Sequence, residues 1–296
     1  MLRELNHFIL HLRLHYQFFI LSGGYLLGGL LSQEMNTTQY WLQFFNVHVL
    51  LFGGATAYNS WWDKDEGPIG GLKNPPKMTP WMHPVSLLMM FAGLGWAFMI
   101  GWSYTAIFGF SLLLFWLYST PHARWKGNPH LSLLAIAVST GFNSVLLGFG
   151  AAGGVISASI LVCSAGASLI LLSLYPVSQI YQSEEDAKRG DQTFFLEYGQ
   201  NAVKKFFKFS FIGGLLILCA GFYIVYPVPA IFLFITGLLS YLILNHYVTH
   251  LRGEQKEYKN VMNIKFFASL SFVLFLLISN AIRHEWIGET IFRTYF

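Results

Sequence analysis

The sequence predicts an all-α, polytopic membrane protein with about nine transmembrane helices in one bundle, residues 1–296 forming a single domain. Two observations carry that prediction. Only 11% of the residues are charged and 54% are apolar, whereas a soluble globular protein carries roughly 25% charged residues. Most of the surface therefore does not face water. Apolar runs long enough to cross a hydrocarbon core also follow one another with little between them. The 28 Phe and 28 Gly suit helices packed in lipid, where small residues let backbones approach closely.

Taken in order, the runs are 15–32, 41–61, 83–101, 102–119, 130–149, 154–181, 205–226, 228–248 and 265–284. A backbone in lipid must satisfy its own hydrogen bonds, so each run is expected to be helical. None shows the period of two that a barrel strand needs. The segment before the first run has no short apolar core followed by a small-residue cleavage site, so it does not read as a removable signal. Connections after the first, third, fifth and seventh runs are short and nearly uncharged: 32–39, the region of Trp102, 151–154 and Pro227. Connections after the second, fourth, sixth and eighth are longer and charged. Of the 18 Lys and Arg, all but Arg283 and Arg293 lie in the N-terminal segment, in these even-numbered connections or in the first four residues of the run that follows one of them. Positive charge stays cytoplasmic. The N-terminus and even loops are therefore expected inside, the C-terminus outside, and the chain in the plasma membrane. The cations form no stripe of the kind that binds nucleic acid. Cys163 and Cys219 lie within apolar runs and read as packing residues. A weak internal echo, an acidic loop after run two and another after run six, suggests two four-helix halves plus a ninth helix.

Those two acidic loops hold the candidate chemistry. The first reads Tyr58-Asn59-Ser60-Trp61-Trp62-Asp63-Lys64-Asp65-Glu66-Gly67-Pro68. Asn59 and Asp63 are four apart and share a helix face. The second reads Tyr181-Gln182-Ser183-Glu184-Glu185-Asp186-Ala187-Lys188-Arg189-Gly190-Asp191, with Gln182 and Asp186 again four apart. Carboxylate clusters at the mouth of a helical bundle suit a hard divalent cation. Mg²⁺ keeps several waters and commonly bridges one or two carboxylates to substrate phosphates. Arg124, Lys126, Lys188 and Arg189 are placed to hold phosphate oxygens and a departing diphosphate. Asn143 and Gln179 are buried polar residues expected to face a cavity. Trp61, Trp62, Trp125, His15, His83 and His122 read as interfacial residues. Lys73, Lys77, Lys204, Lys205, Glu254, Lys256 and Glu257 read as solvated loop charge. A transporter or lipid-binding protein built on the same helices stays open, although a transporter would more naturally carry ionisable groups near the bilayer midplane.

The same residues resemble the UbiA superfamily of intramembrane prenyltransferases. That family has nine transmembrane helices and aspartate-rich motifs after helices 2 and 6. Asn59 and Asp63 match the first motif, whose last position here is Gly67. Asp186 matches the second, with Lys188, Arg189 and Gly190 resembling its tail and Gln182 standing at its first aspartate. The stretch from Leu117-Tyr118-Ser119 to Arg124-Trp125-Lys126-Gly127 resembles the loop after helix 4. Leu12-Arg13-Leu14-His15-Tyr16 resembles the start of helix 1. The resemblance implies a Mg²⁺-bound prenyl diphosphate donor, ionisation to an allylic cation, and attack by an electron-rich aromatic or other lipophilic acceptor, with membrane lipid as a further partner. On that reading Asp63, Asp186 and Asn59 are catalytic. Asp63, Asp65, Glu66 and Asp186 hold metal, and Arg124, Lys126, Lys188, Arg189 and Gln182 bind diphosphate.

Overall fold

The computed structural model describes residues 2–286, apart from the side chain of Gln255. A short helix, α1 (Leu2–Leu12), precedes a series of long helical runs. These are α2 (14–31), α3 (37–63), α4 (Met82–Ala97), α5 (Trp102–Ser119), α6 (Pro129–Ala151) and α7 (Ala158–Ser173, continuing through Tyr175–Gln179). A short loop helix, α8 (Ser183–Lys188), leads to α9 (Phe194–Val225), α10 (Pro227–His250) and α11 (Tyr258–Arg283). Among the described residues the only β-pairing is an isolated bridge between Ile69 and Leu72.

Six of the runs are long and apolar enough to cross a membrane: α5, α6, α7 with its extension, α9, α10 and α11. The other three fall short in uninterrupted α-helical length. α2 and α3 contain π-helical turns at Gln17–Leu21 and Asn46–Gly53, and α4 has 16 residues. Large apolar side chains such as Phe91, Trp102, Phe209, Phe232 and Phe267 point outward from the bundle. A water-facing surface rarely tolerates that density, and lipid does.

Local chemistry sets the helix ends. The Asn36 side chain accepts a hydrogen bond from the Gln39 amide at the start of α3. Asn128 accepts from the His130 and Leu131 amides before α6, with Pro129 in the first turn. α9 starts well before residue 205, where hydropathy alone begins it. Its first turns are polar, and Gly199, at φ 72°, kinks them away from the apolar part. That polar start is fastened to the end of α10, where Lys204 Nζ donates to Thr249 O at 2.7 Å.

Glycines let the helices touch. Gly24 and Gly28 of α2 form a small-xxx-small pair against α6. A Cβ at Gly28 would lie 2.1 Å from Val145 O, and one at Gly148 would lie 1.9 Å from Tyr25 O. Gly166 of α7 and Gly214 and Gly221 of α9 make a second close crossing, the Gly166 position being 2.3 Å from Leu218 N.

The two ends of the bundle differ. At one end the Asn36 amide donates to Ala152 O, and Arg283 Nε donates to Ser32 O at 3.2 Å. At the other, the loops carrying most of the charge are knitted together, with the Gln192 amide donating to Gly127 O. Positive charge therefore segregates to one end among the described residues, with Arg283 at the opposite one. Arg293 lies outside the described residues.

Candidate active site

A cavity of about 530 Å³ opens at the charged end and runs into the bundle between α2, α3, α5, α6, α7, α9, α10 and α11. Its deep walls are largely apolar, with Ile20, Phe52, Phe115, Ile170, Leu218 and Phe272 among them. Its mouth carries four carboxylates: Asp63, Asp65, Asp186 and Asp191.

α3 holds the first motif in helical register to its last residue. Asn59 and Asp63 therefore stack one turn apart, and Asn59 Nδ2 donates to Asp63 Oδ2 at 2.7 Å. Ser119 Oγ, from the end of α5, donates to Asn59 Oδ1 at 3.1 Å. Lys64 then adopts a left-handed conformation at φ 52°, which ends the helix and turns Asp65 back toward the mouth. Lys126 Nζ pairs with Asp63 Oδ1.

The second motif arrives from α8. Arg189 Nη2 donates to Asp186 Oδ1 at 2.6 Å, and its Nη1 donates to Asp65 Oδ1 at 2.5 Å. Its Nε lies 3.4 Å from Asp191 Oδ2. One guanidinium thus bridges both motifs. Arg124 grips Asp191 with both arms, Nε to Oδ1 at 2.6 Å and Nη2 to Oδ2 at 2.9 Å. Glu185 Oε1 accepts from the Gly67 amide at 2.5 Å, tying the two loops directly. A Cβ at residue 67 would sit 2.8 Å from that oxygen. The second loop therefore packs directly against the last position of the first motif, through the flexible end of the Glu185 side chain.

Burial pushes the Asp186 carboxyl up to about 6, although Lys126 and Arg189 oppose the rise. Burial also acts to raise Asp191, but Arg124, Lys126 and Arg189 outweigh it and hold that carboxyl below its ordinary value. For Arg189, burial is outweighed by Asp65, Asp63 and Asp186, which raise its pKa.

Of the residues singled out from sequence, Asn59, Asp63, Asp65, Lys126, Gln182, Asp186 and Arg189 all line this one cavity. Glu66 and Lys188 do not. Both are exposed. Lys188 lies two residues from Asp186, roughly 200° around the helix, and Glu66 sits on the outer side of the turn before Gly67. Arg124 acts on the mouth only through Asp191. Gln179 lines the cavity, with its Oε1 accepting from the Phe195 amide. Asn143 does not, and its Nδ2 donates to Ser111 Oγ at 2.9 Å.

Three features escape a sequence reading. Asp191 follows Gly190, whose φ of 76° turns the chain back into the site. Tyr118 and Tyr175 meet hydroxyl to hydroxyl at 2.9 Å beside the carboxylates. Arg13 and Lys265, from opposite ends of the chain, also line the cavity.

The donor set is hard oxygen, as Mg²⁺ requires. Among the described residues no three His, Cys, Asp or Glu side chains form a complete metal cage. An ion held by one or two carboxylates, waters and substrate phosphate needs no such cage. One or two of Asp63, Asp65 and Asp186, all of which line the mouth, supply the carboxylate oxygens that such an arrangement needs.

A profile of the UbiA prenyltransferase family matches residues 18–271. Among solved structures, the chain is similar to a UbiA homologue from Archaeoglobus fulgidus bound to GPP and Mg²⁺. The two share 14% identity over 93% of this chain and 99% of the other, with a TM-score of 0.72. The same homologue bound to DMAPP and Mg²⁺ gives a TM-score of 0.71 at 14% identity, over the same shares. A structure of digeranylgeranylglyceryl phosphate synthase in membranes gives 0.62 at 17% identity, over 96% of this chain and 99% of the other. A search of curated proteins finds no match. The chain belongs to the UbiA prenyltransferase family.

Proposed function

We propose that this chain is a Mg²⁺-dependent intramembrane prenyltransferase that moves a polyprenyl group from a prenyl diphosphate to an aromatic or other lipophilic acceptor. One observation carries the reading. Two acidic motifs far apart in the chain meet above a single apolar cavity, with Arg189 and Lys126 between them. A diphosphate headgroup fits the polar mouth, and its isoprenoid tail fits the greasy interior. Structures of the Archaeoglobus homologue with GPP or DMAPP and Mg²⁺ support the same assignment.

Asp63 and Asp186 hold the metal, with Asp65 assisting. Asn59 is fixed by Ser119 and orients Asp63. Bound Mg²⁺ supplies charge neutralisation of the diphosphate. Lys126 and Arg189 donate to its oxygens as the carbon–oxygen bond breaks and the electron pair leaves with it. Gln182 offers a neutral donor where a further carboxylate would repel the leaving group. The rings of Tyr118 and Tyr175 lie below the mouth and attract the developing allylic cation. The acceptor's electron pair then closes the new bond, and the acceptor loses a proton.

The chain crosses the membrane nine times on this reading. Its charged end is cytoplasmic, its C-terminus is outside, and the membrane is the plasma membrane. The test uses purified protein with radiolabelled geranyl diphosphate, Mg²⁺ and a membrane lipid extract. Wild type should yield a labelled, phosphate-free product, and Asp63→Ala or Asp186→Ala should abolish it. Unchanged turnover in both variants overturns the assignment. Donor binding without consumption favours a non-catalytic lipid-binding role.

A further inference from the structure

The charged end of the bundle carries a second set of metal-type donors, on the outer face of α10 rather than in the cavity. His246 and His250 lie four residues apart where that helix ends, so both project from one face. The same face is apolar through Leu239, Leu242 and Ile243, all exposed, and turns to imidazole as it nears the loop. Both histidines are exposed, and neither lines the cavity.

The two rings are already gathered. Their centres are 4.4 Å apart, with the planes at 45° to one another. His250 Nδ1 donates to the His246 carbonyl at 2.6 Å. A carbonyl only accepts, so Nδ1 carries the hydrogen and the neutral ring keeps its lone pair on Nε2. A metal-ligating histidine is held in this way, through the ring nitrogen that does not touch the ion. Among the described residues, no hydrogen bond or ion pair takes up His250 Nε2 or either ring nitrogen of His246.

We infer that His246 and His250 form a binding site for a transition-metal dication of the Zn²⁺ or Cu²⁺ class, separate from the Mg²⁺ chemistry of the mouth. Two histidines at i and i+4 on a helix are a zinc-binding arrangement. Imidazole suits Zn²⁺ and Cu²⁺, whereas Mg²⁺ prefers oxygen. Two protein ligands leave the other positions to water, so the ion exchanges readily. The pair closes on an ion only while the end of α10 is helical. Lys204 of α9 grips that same end, donating to Thr249 O at 2.7 Å and to Leu251 O at 2.8 Å. Nearer its middle, α10 lines the cavity with Leu244, Ser240 and Leu233. A bound ion therefore stiffens the end of one cavity wall. The site stands on these side chains and does not rest on the prenyl-transfer reading.

The test uses full-length protein without an affinity tag, in phosphatidylcholine nanodiscs with excess Mg²⁺. Titrated Cu²⁺ should give wild type an electron paramagnetic resonance signal split by two imidazole nitrogens. His246→Ala and His250→Ala should each weaken that binding at least about tenfold, because losing a ligand costs no less than losing a ligand's support. Both side chains are exposed, so each variant should keep nearly the metal-free thermal midpoint of wild type. Zn²⁺ should slow hydrogen exchange of the backbone amides at the end of α10 in wild type and in neither variant. A two-nitrogen signal that survives either substitution overturns the pair. Cu²⁺ displaced by further Mg²⁺ overturns the ligand class. Zn²⁺ protection confined to the loops of the cavity mouth also overturns the inference, because the ion would then be sitting on the carboxylates.

Discussion

Arg189 is where the two motifs become one site, because a single guanidinium serves Asp65, Asp186 and Asp191. Removing it leaves three mostly buried carboxylates facing one another. Breaking buried pairs of this kind costs about 3–5 kcal/mol. Arg189→Ala should therefore lower the thermal midpoint of metal-free protein, and Mg²⁺ should raise the variant's midpoint more than that of wild type. Equal Mg²⁺ shifts would show that the carboxylates do not share the ion. Asp186 gives a second residue-scale prediction. Its folded pKa, about 6, lies above the ordinary 3.8. A raised carboxyl contributes stability that is fully present below pH 3.8 and lost as pH rises through 6. In metal-free protein, wild type should lose roughly 2–3 kcal/mol against Asp186→Asn over that window. Ligation needs the ionised form, so Mg²⁺ affinity should run the other way, weakening as pH falls below 6. Flat Mg²⁺ affinity from pH 5 to 7 would remove Asp186 from the metal set. Much of this site was legible from the i, i+4 spacing of Asn59 with Asp63 and Gln182 with Asp186, which survives folding. Lys265 was not legible, since only the folded bundle brings the last helix beside Tyr16. Nor was Gly67 legible as a contact point, because its partner Glu185 belongs to a remote loop.

At the scale of elements, glycine-mediated crossings fix where the cavity walls stand. A Cβ at Gly148 would meet the Tyr25 carbonyl at 1.9 Å, and that neighbour is backbone. Gly148→Val should therefore separate α2 from α6 and destabilise the protein by about 1–3 kcal/mol or more. Gly213→Ala in α9 meets nothing within 4 Å and should be neutral or slightly stabilising. Comparing the thermal midpoints of the two variants tests the crossing, and similar losses would reject it. Three π-helical turns also feed the cavity wall: Gln17, Ile20 and Leu21 from the first, Phe52 from the second, Thr140 and Gly141 from the third. Such turns recur at functional sites. Hydropathy sees the helices because lipid demands continuous apolar runs. It cannot see the π-turns, which leave composition unchanged. It also missed α1 and the polar start of α9, whose mixed composition carries no span signal.

At the scale of the whole molecule, the proposed prenyl transfer makes the separation of charge decide which compartment supplies the donor. A prenyl diphosphate cannot carry its ionised headgroup through hydrocarbon, so the cavity mouth must open on the side where that molecule is made. The loops holding Lys64, Lys126 and Lys188 meet at the mouth, with the loop holding Arg252 packed beside them, whereas the turn around Gly153 and Val155 lies at the far end. α7 separates the two, so residues 155 and 188 should lie on opposite sides of the membrane. Both Val155 and Lys188 are exposed and accept a reporter without disturbing the core. With Cys163→Ser and Cys219→Ser as background, Lys188→Cys should react with a membrane-impermeant maleimide only in inside-out vesicles. Val155→Cys should react only in right-side-out ones. Reaction of both from one side would mean that α7 does not cross. A reversed pattern would put the mouth outside, and the donor would then have to be exported before this chain could use it.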